Sequence, residues 1–270
     1  MEKAASNVVT GIGAIAASTC DSTPFLKSRK TRKFMGSQDE LAVIAAARAL
    51  DSASLAAPLG ERCGLYAAIG YIPFEESDMT QLLDASLEGD AFSMQRFSTN
   101  AFGALNPLLT FRVLPNMPAF HISLNFDIQG PYAVSYPGAA QFYVVLEEAF
   151  AALDSHAIDI ALVAAVADQE NYLVRHHFSR IDPPIDASRL TNAAACLVVE
   201  REEDARRRGA QVRARLTSWA LTCEDTPQCD ERHIAFGPAS LGIALANTRG
   251  ALTHEVRERG FAASSAWEVA

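Results

Sequence analysis

Two apolar stretches joined by one helical period constrain this chain more than any other feature. From Ala139 to Leu153 apolar residues recur with the spacing of a helix lying on a core, and Ile158-Asp159-Ile160-Ala161-Leu162-Val163-Ala164-Ala165 follows as an almost unbroken apolar run of strand length. Such a run suits a strand covered on both faces, the habit of parallel sheets flanked by helices. Gly130-Pro131-Tyr132-Ala133-Val134-Ser135-Tyr136 precedes the helix and reads as another strand. The segment is therefore a strand-helix-strand unit. Val8 to Gly13 and Gly64 to Gly70 add glycine-bounded strands, and Gln38 to Leu50 adds an amphipathic helix, so a layered α/β fold is expected.

The rest of the chain is less regular. Tyr71 to Phe97 has a mixed pattern, read as surface loop with a short helix. Arg175 to Leu190, with His176, His177 and Pro183-Pro184, reads as a loop. A strand is expected over Ala193 to Glu200, a charged helix stopped by glycine over Glu202 to Gly209, a helix over Leu241 to Leu252, and a closing edge strand at Trp267-Glu268-Val269.

At 270 residues with 49% apolar side chains, the chain is long enough for one large domain or two small ones. A formal charge of −9 leaves no basic stripe for nucleic acid or an anionic membrane surface. Five scattered cysteines, an odd number, do not form a secreted disulfide framework and fit a reducing cytoplasm. The apolar N-terminal run is interrupted by Thr10, Gly11 and Gly13, which favours a first strand over a secretory signal. No uninterrupted apolar stretch is long enough to predict a transmembrane helix.

Several constellations resemble chemical sites. Gly11-Ile12-Gly13-Ala14-Ile15-Ala16 fits the loose dinucleotide pattern G-x-G-x-x-A, but Ser18 to Pro24 is a poor helix start, so a plain tight turn is the expectation. Cys223, Cys229 and His233 form a C-x5-C-x3-H run without a fourth ligand, and no metal is expected there. A hydrolase needs a nucleophile beside an oriented base. The sharp strand-to-helix turn at Pro137-Gly138-Ala139 offers no nucleophile.

An ordered series of motifs from about residue 5 to 215 resembles the β-ketoacyl synthases. Val8 to Ile15 resembles the family's opening strand; Asn106-Pro107-Leu108-Leu109 with Pro115-Asn116-Met117-Pro118-Ala119 resembles its approach loop with Asn-Met, and His121 takes the place of the family's histidine before Gly130-Pro131. Asp159 and the run Glu200 to Ala210 complete the series. The resemblance implies a thiolase-like fold, two related α/β halves in five layers, here with a strongly shortened C-terminal half. A single domain over 1–270 is expected, divided into a synthase-like part to 220 and a remnant over 221–270. Ala139 stands where the resemblance puts the catalytic cysteine, and the histidines and lysine of the second half have no counterpart after Leu221. Catalysis would require that thiol and those imidazoles.

The resemblance therefore implies a subunit without activity alone, similar to chain length factors, with no cofactor. Its partner would be a catalytic β-ketoacyl synthase, with an acyl carrier protein reached through the complex, in cytoplasmic fatty-acid-like, polyketide or aryl-polyene synthesis. Leu109, Phe111 and Phe142 become the candidate tunnel or partner-pocket residues; Asn116, Met117, Pro131, Tyr132, Val134 and Tyr136 become the candidate interface. Two alternatives stay open: an acyltransferase using a displaced nucleophile such as Ser135 or Cys196, and a homodimeric acyl-binding module.

Overall fold

A computed structural model describes residues 7–181, 184–223, 235–258 and 260–270. Strand β1 (Asn7–Ala16) leads to helix α1 (Ser37–Ser52), then β2 (Cys63–Ile69). An excursion follows, made of α2 (Glu76–Ser86), the two-residue strands β3 (Leu87–Glu88) and β4 (Ala91–Phe92), and the short α3 (Leu109–Val113). Then come α4 (Met117–Phe126), β5 (Tyr132–Ser135), α5 (Gln141–Asp154), β6 (Ile160–Ala167), α6 (Tyr172–Ser179), β7 (Ala193–Arg201) and α7 (Glu202–Arg207). The remaining elements are β8 (Ala214–Thr222), α8 (Ser240–Asn247), β9 (Gly250–Glu258) and β10 (Phe261–Val269).

Among the described residues, eight of the strands form one mixed sheet in the order β5-β2-β6-β7-β1-β8-β10-β9. β2 runs parallel to β5 and β6; every other pairing in that sheet is antiparallel. Because side chains alternate across a strand, β2, β6 and β7 supply both faces with core. Leu65, Leu162, Ala164, Cys196 and Val198 meet α1 and α4 on one face. Tyr66, Val163, Ala195 and Leu197 meet α5 and α8 on the other. The strand-helix-strand expectation holds, with α5 crossing between β5 and β6.

Five layers are not present in the described residues. The described residues after Leu221 add β9 and β10 to the same sheet, giving one sheet between two helical layers. The boundary expected at residue 220 falls inside β8, which pairs with β1 on one side and β10 on the other.

The structure changes four local readings. Gly11 and Gly13 lie within β1, not in a turn after it. A Cβ built at Gly11 would come 2.2 Å from the Ala49 carbonyl oxygen, and one at Gly13 would come 2.1 Å from that of Ala45, so the pair lets α1 pack close against the strand. His176 and His177 sit on helix α6, which Asn171 caps by accepting the Leu173 N–H and which buries Val174 and Phe178 one turn apart. The helix expected to reach Leu252 stops at Asn247, where Thr248 turns extended, and β9 begins at Gly250. β10 is an interior strand with Ala263, Ser265, Trp267 and Val269 facing the core; the edge is β9. The alternation of buried His254 and Val256 with exposed Thr253, Glu255 and Arg257 is the period-two signal that marks β9.

Asp159 anchors the turn between α5 and β6. It accepts from Arg62 at 2.6 Å and from Arg201 at 2.7 Å, while Arg201 also donates to the carbonyls of Leu153 and Ile158. The Arg62 guanidinium above all, with Arg201, holds the Asp159 carboxyl down at about 2.

Candidate functional site

The turn at Ala139 is built from backbone geometry. β5 ends at Ser135, the Tyr136–Pro137 peptide is cis, and Gly138 takes φ +119°, a conformation that a side chain would strain. Ala139 and Ala140 are then fully enclosed, and α5 begins at Gln141. Aligned peptide dipoles and unpaired N–H groups make such a helix start attractive to negative charge. Here that charge comes from Glu258, at the end of β9. Its Oε1 accepts the Ala139 N–H at 2.6 Å and its Oε2 accepts the Ala140 N–H at 2.9 Å. Burial raises the Glu258 carboxyl above the usual range, outweighing the two amides that lower it.

Among the described residues, no group at the turn is placed for nucleophilic attack. Ser135 Oγ lies 2.5 Å from Gln141 Oε1, to which it donates. Cys196 is fully buried in the middle of β7, and burial pushes its thiol up; Cys63 is buried as well and pushed to about 12. Thiols of that kind stay protonated and poorly nucleophilic. Of the C-x5-C-x3-H run, Cys223 is exposed, while Cys229 and His233 lie outside the described residues. Among the described residues no group of three histidines, cysteines or carboxylates is placed to hold a metal, and no helix is long and apolar enough to cross a membrane.

Beneath the turn a buried polar cluster ties α5 to the C-terminal strands. The Tyr143 hydroxyl lies 2.9 Å from His254 Nδ1 and 2.7 Å from Ser265 Oγ; Ser240 Oγ lies 3.1 Å from His254 Nε2, and Trp267 Nε1 donates to Ser265 Oγ at 2.8 Å. Burial raises the Tyr143 phenol, so it stays neutral. Neither this cluster nor Glu258 was foreseen from sequence. The strand pattern around His254 was the available signal for the cluster, and nothing local marked Glu258.

The interface candidates gather at one edge of the sheet. β5 is the outermost strand, with Tyr132 73% exposed, Pro131 and Tyr136 exposed, and Val134 half-buried. Asn116 is exposed at the start of α4, whereas Met117 turns into the core. Beside β5, α4 exposes Phe120 and Leu124 one turn apart, and Asn116, Phe120, Ser123, Gln129 and Tyr132 line a groove of about 430 Å³. Of the tunnel candidates, Leu109 is buried on α3, Phe111 on the same helix is exposed and packs edge-on against Phe34, and Phe142 is a core residue of α5. Leu109 and Phe111 thus share one short helix, and Phe142 lies in a different layer.

A model of the β-ketoacyl synthase N-terminal domain matches residues 2–205. No curated protein matches this sequence as a relative. The chain is similar in structure to a chain of AntDE:AntF (apo), a type II polyketide synthase acyl-carrier protein in complex with its ketosynthase bound to the hexaketide, at TM-score 0.76 and 13% identity over 98% of this chain and 99% of that one. It is also similar to a β-ketoacyl synthase from Burkholderia phymatum STM815, at TM-score 0.69 and 13% identity with the same coverage. The ishigamide ketosynthase/chain length factor matches at TM-score 0.65 and 16% identity, again over 98% and 99% of the two chains. These likenesses establish a thiolase-like ketosynthase fold in a short chain. With the family model spanning most of its length, the chain belongs to the β-ketoacyl synthase family, through its N-terminal domain.

Proposed function

We propose that this chain is a noncatalytic ketosynthase-like subunit, a chain length factor, that pairs with a catalytic β-ketoacyl synthase and helps bound the tunnel for its acyl or polyene product. The observation that carries the reading is the distribution of exposed apolar side chains. Of the thirteen large apolar residues left exposed among the described residues, nine lie between Phe92 and Tyr136. That stretch contains the edge strand and α4, and an apolar patch rimmed by polar groups is the usual mark of a protein partner. An unprotected edge strand also offers its free N–H and C=O groups to a second strand.

The turn supports the same reading from the chemical side. Ala139, at the position that the resemblance gives to the nucleophile, carries only a methyl group, and Ser135 and Cys196 are both engaged or buried. The likeness to the ishigamide ketosynthase/chain length factor and to a ketosynthase solved with its carrier protein agrees with a type II polyketide setting. On this reading residues 1–270 act as one domain in the cytoplasm, the product is of aryl-polyene type, and a carrier protein meets the complex. Leu109 and Phe111 bound the product tunnel, with Phe142 in the core layer of α5, and Asn116, Pro131, Tyr132, Val134 and Tyr136 form the pairing face, with Met117 packed behind it.

Co-expression with the neighbouring ketosynthase tests the proposal. A co-purifying heterodimer whose product length changes with side-chain size at Leu109 supports it. A stable monomer that yields no complex, or acyl transfer by the isolated chain, overturns it; a homodimer carrying an acyl ligand in its mass spectrum favours the binding module instead.

A further inference from the structure

We propose that Glu258 is a built-in anion that keeps the turn before α5 closed, so that restoring a cysteine at position 139 would not by itself restore a reactive thiol. Acyl transfer places negative charge on an oxygen held by preorganised N–H donors. The two donors at this turn, the amides of Ala139 and Ala140, are already paired with the Glu258 carboxylate, one oxygen each. The carboxylate also fills the space in front of the turn: a Cβ built at Gly138 would stand 2.5 Å from its Oε2. An incoming carbonyl oxygen would have to displace a charge-assisted pair of hydrogen bonds from the end of a fourteen-residue helix.

The same charge disfavours a thiolate. A thiolate at position 139 would lie beside a carboxylate in a site enclosed by protein, and both like charge and burial raise a thiol's pKa. Glu258 is held to this task from two directions. β10 pairs with β9 to its last residue, Phe261 opposite Glu258, and the Tyr143, His254 and Ser265 cluster fastens the same hairpin to α5. The shortened C-terminal segment thus supplies the turn with a plug.

This inference rests on the reading of Ala139 as the counterpart of the nucleophile, but its test uses the full chain alone, so failure to pair with a synthase does not touch it. A139C, A139C/E258Q and A139C/E258A are alkylated with iodoacetamide, and the rate at position 139 is followed by peptide mass mapping, with exposed Cys223 as the internal standard. Each event forms one S–C bond, releases iodide and gives the thiol proton to buffer. The introduced thiol is expected to react at least about 100-fold more slowly than Cys223 in A139C, and at least about 10-fold faster in A139C/E258Q than in A139C, a factor corresponding to one pKa unit. The Gln variant separates charge from access, since it keeps the volume; the Ala variant should react fastest. Equal rates in all three variants, or an introduced thiol already as fast as Cys223 in A139C, overturn the proposal. Hydrogen exchange gives an answer that needs no cysteine. In E258A the Ala139 and Ala140 amides should each lose about 10-fold in protection while Val145 and Leu146 keep theirs, and in E258Q one of the two should, because a carboxamide keeps one accepting oxygen and its nitrogen cannot accept an N–H; unchanged protection in E258A refutes the plug.

Discussion

The two edges of the sheet are built to opposite rules. β9, at one end, exposes Thr253, Glu255 and Arg257, the polar and charged residues with which proteins keep an edge from pairing. β5, at the other, contains no charged residue and stands between Pro131 and Tyr136, with Tyr132 largely in solvent. The protected edge belongs to the C-terminal segment, and the unprotected one to the part that matches the family model. The difference teaches that exposure of apolar surface here is local and placed, since the same chain hides it elsewhere.

The contrast is sharpest at Tyr132. Tyr132→Lys puts a charge into the unprotected edge at a position that contributes little to the isolated fold, so affinity for a partner synthase should fall by about 100-fold, or about 3 kcal/mol, while the melting temperature of the free chain stays the same. Titration calorimetry or co-purification yield against the wild type measures it. An unchanged complex breaks the comparison.

A second prediction concerns α1 and α4, which pack against each other over one face of the sheet. Asp39 is buried at the start of α1, accepting the Gly36 N–H, and burial pushes its carboxyl up to about 8; His121 of α4, 3.9 Å away and also buried, is pushed down to about 4. Folding therefore binds a proton at Asp39 that the unfolded chain would lose above its ordinary carboxylate range, and excludes one from His121. The two effects oppose each other between about pH 4 and 6.5. From about pH 6.5 to 8 only Asp39 acts, and stability should fall by about 2 kcal/mol, at about 1.4 kcal/mol per pH unit. Urea unfolding at both pH values should show this fall in the wild type and a flat response in Asp39→Asn.

At the protected end, Tyr143→Phe removes the hydroxyl shared by His254 and Ser265 and leaves buried polar groups without it, at a cost of about 1–2 kcal/mol. Hydrogen exchange should speed up in β9 and β10 but not in β2 or β6. The smallest effect is expected from Thr253→Lys, which adds a charge to an edge already carrying charges; partner affinity and stability should both stay within about 0.5 kcal/mol of the wild type.

How much of this was legible in sequence follows from the range of each interaction. β1, β2, β6 and β7 announced themselves because a strand buried on both faces must be apolar throughout, as in Leu162-Val163-Ala164-Ala165. The family came from an ordered series of short motifs, each local. α6 was missed because Pro183-Pro184 and the paired histidines dominated the reading, although Asn171 and the Val174/Phe178 spacing marked a capped helix. β8 and β9 were missed because half-exposed strands with Thr, Glu and Arg look like loop. Glu258 could not be read from its neighbours: its partners are the backbone amides of residues 118 and 119 positions away, and backbone amides carry no sequence signature.

The placement of β1 sets a schedule for synthesis. Strand β1 is locked between β7 and β8, with Asn7 opposite Arg201 and Val8 opposite Arg215, so its hydrogen bonds wait for nearly two hundred further residues. At ribosomal rates of about 5–20 residues per second, that is a delay of roughly ten to forty seconds during which the apolar β1 has no sheet to join. β2, β5 and β6 emerge earlier and pair among themselves. The edge at β5 can thus be complete while β1 is still unpaired, and a nascent chain would present that edge before its own sheet is finished.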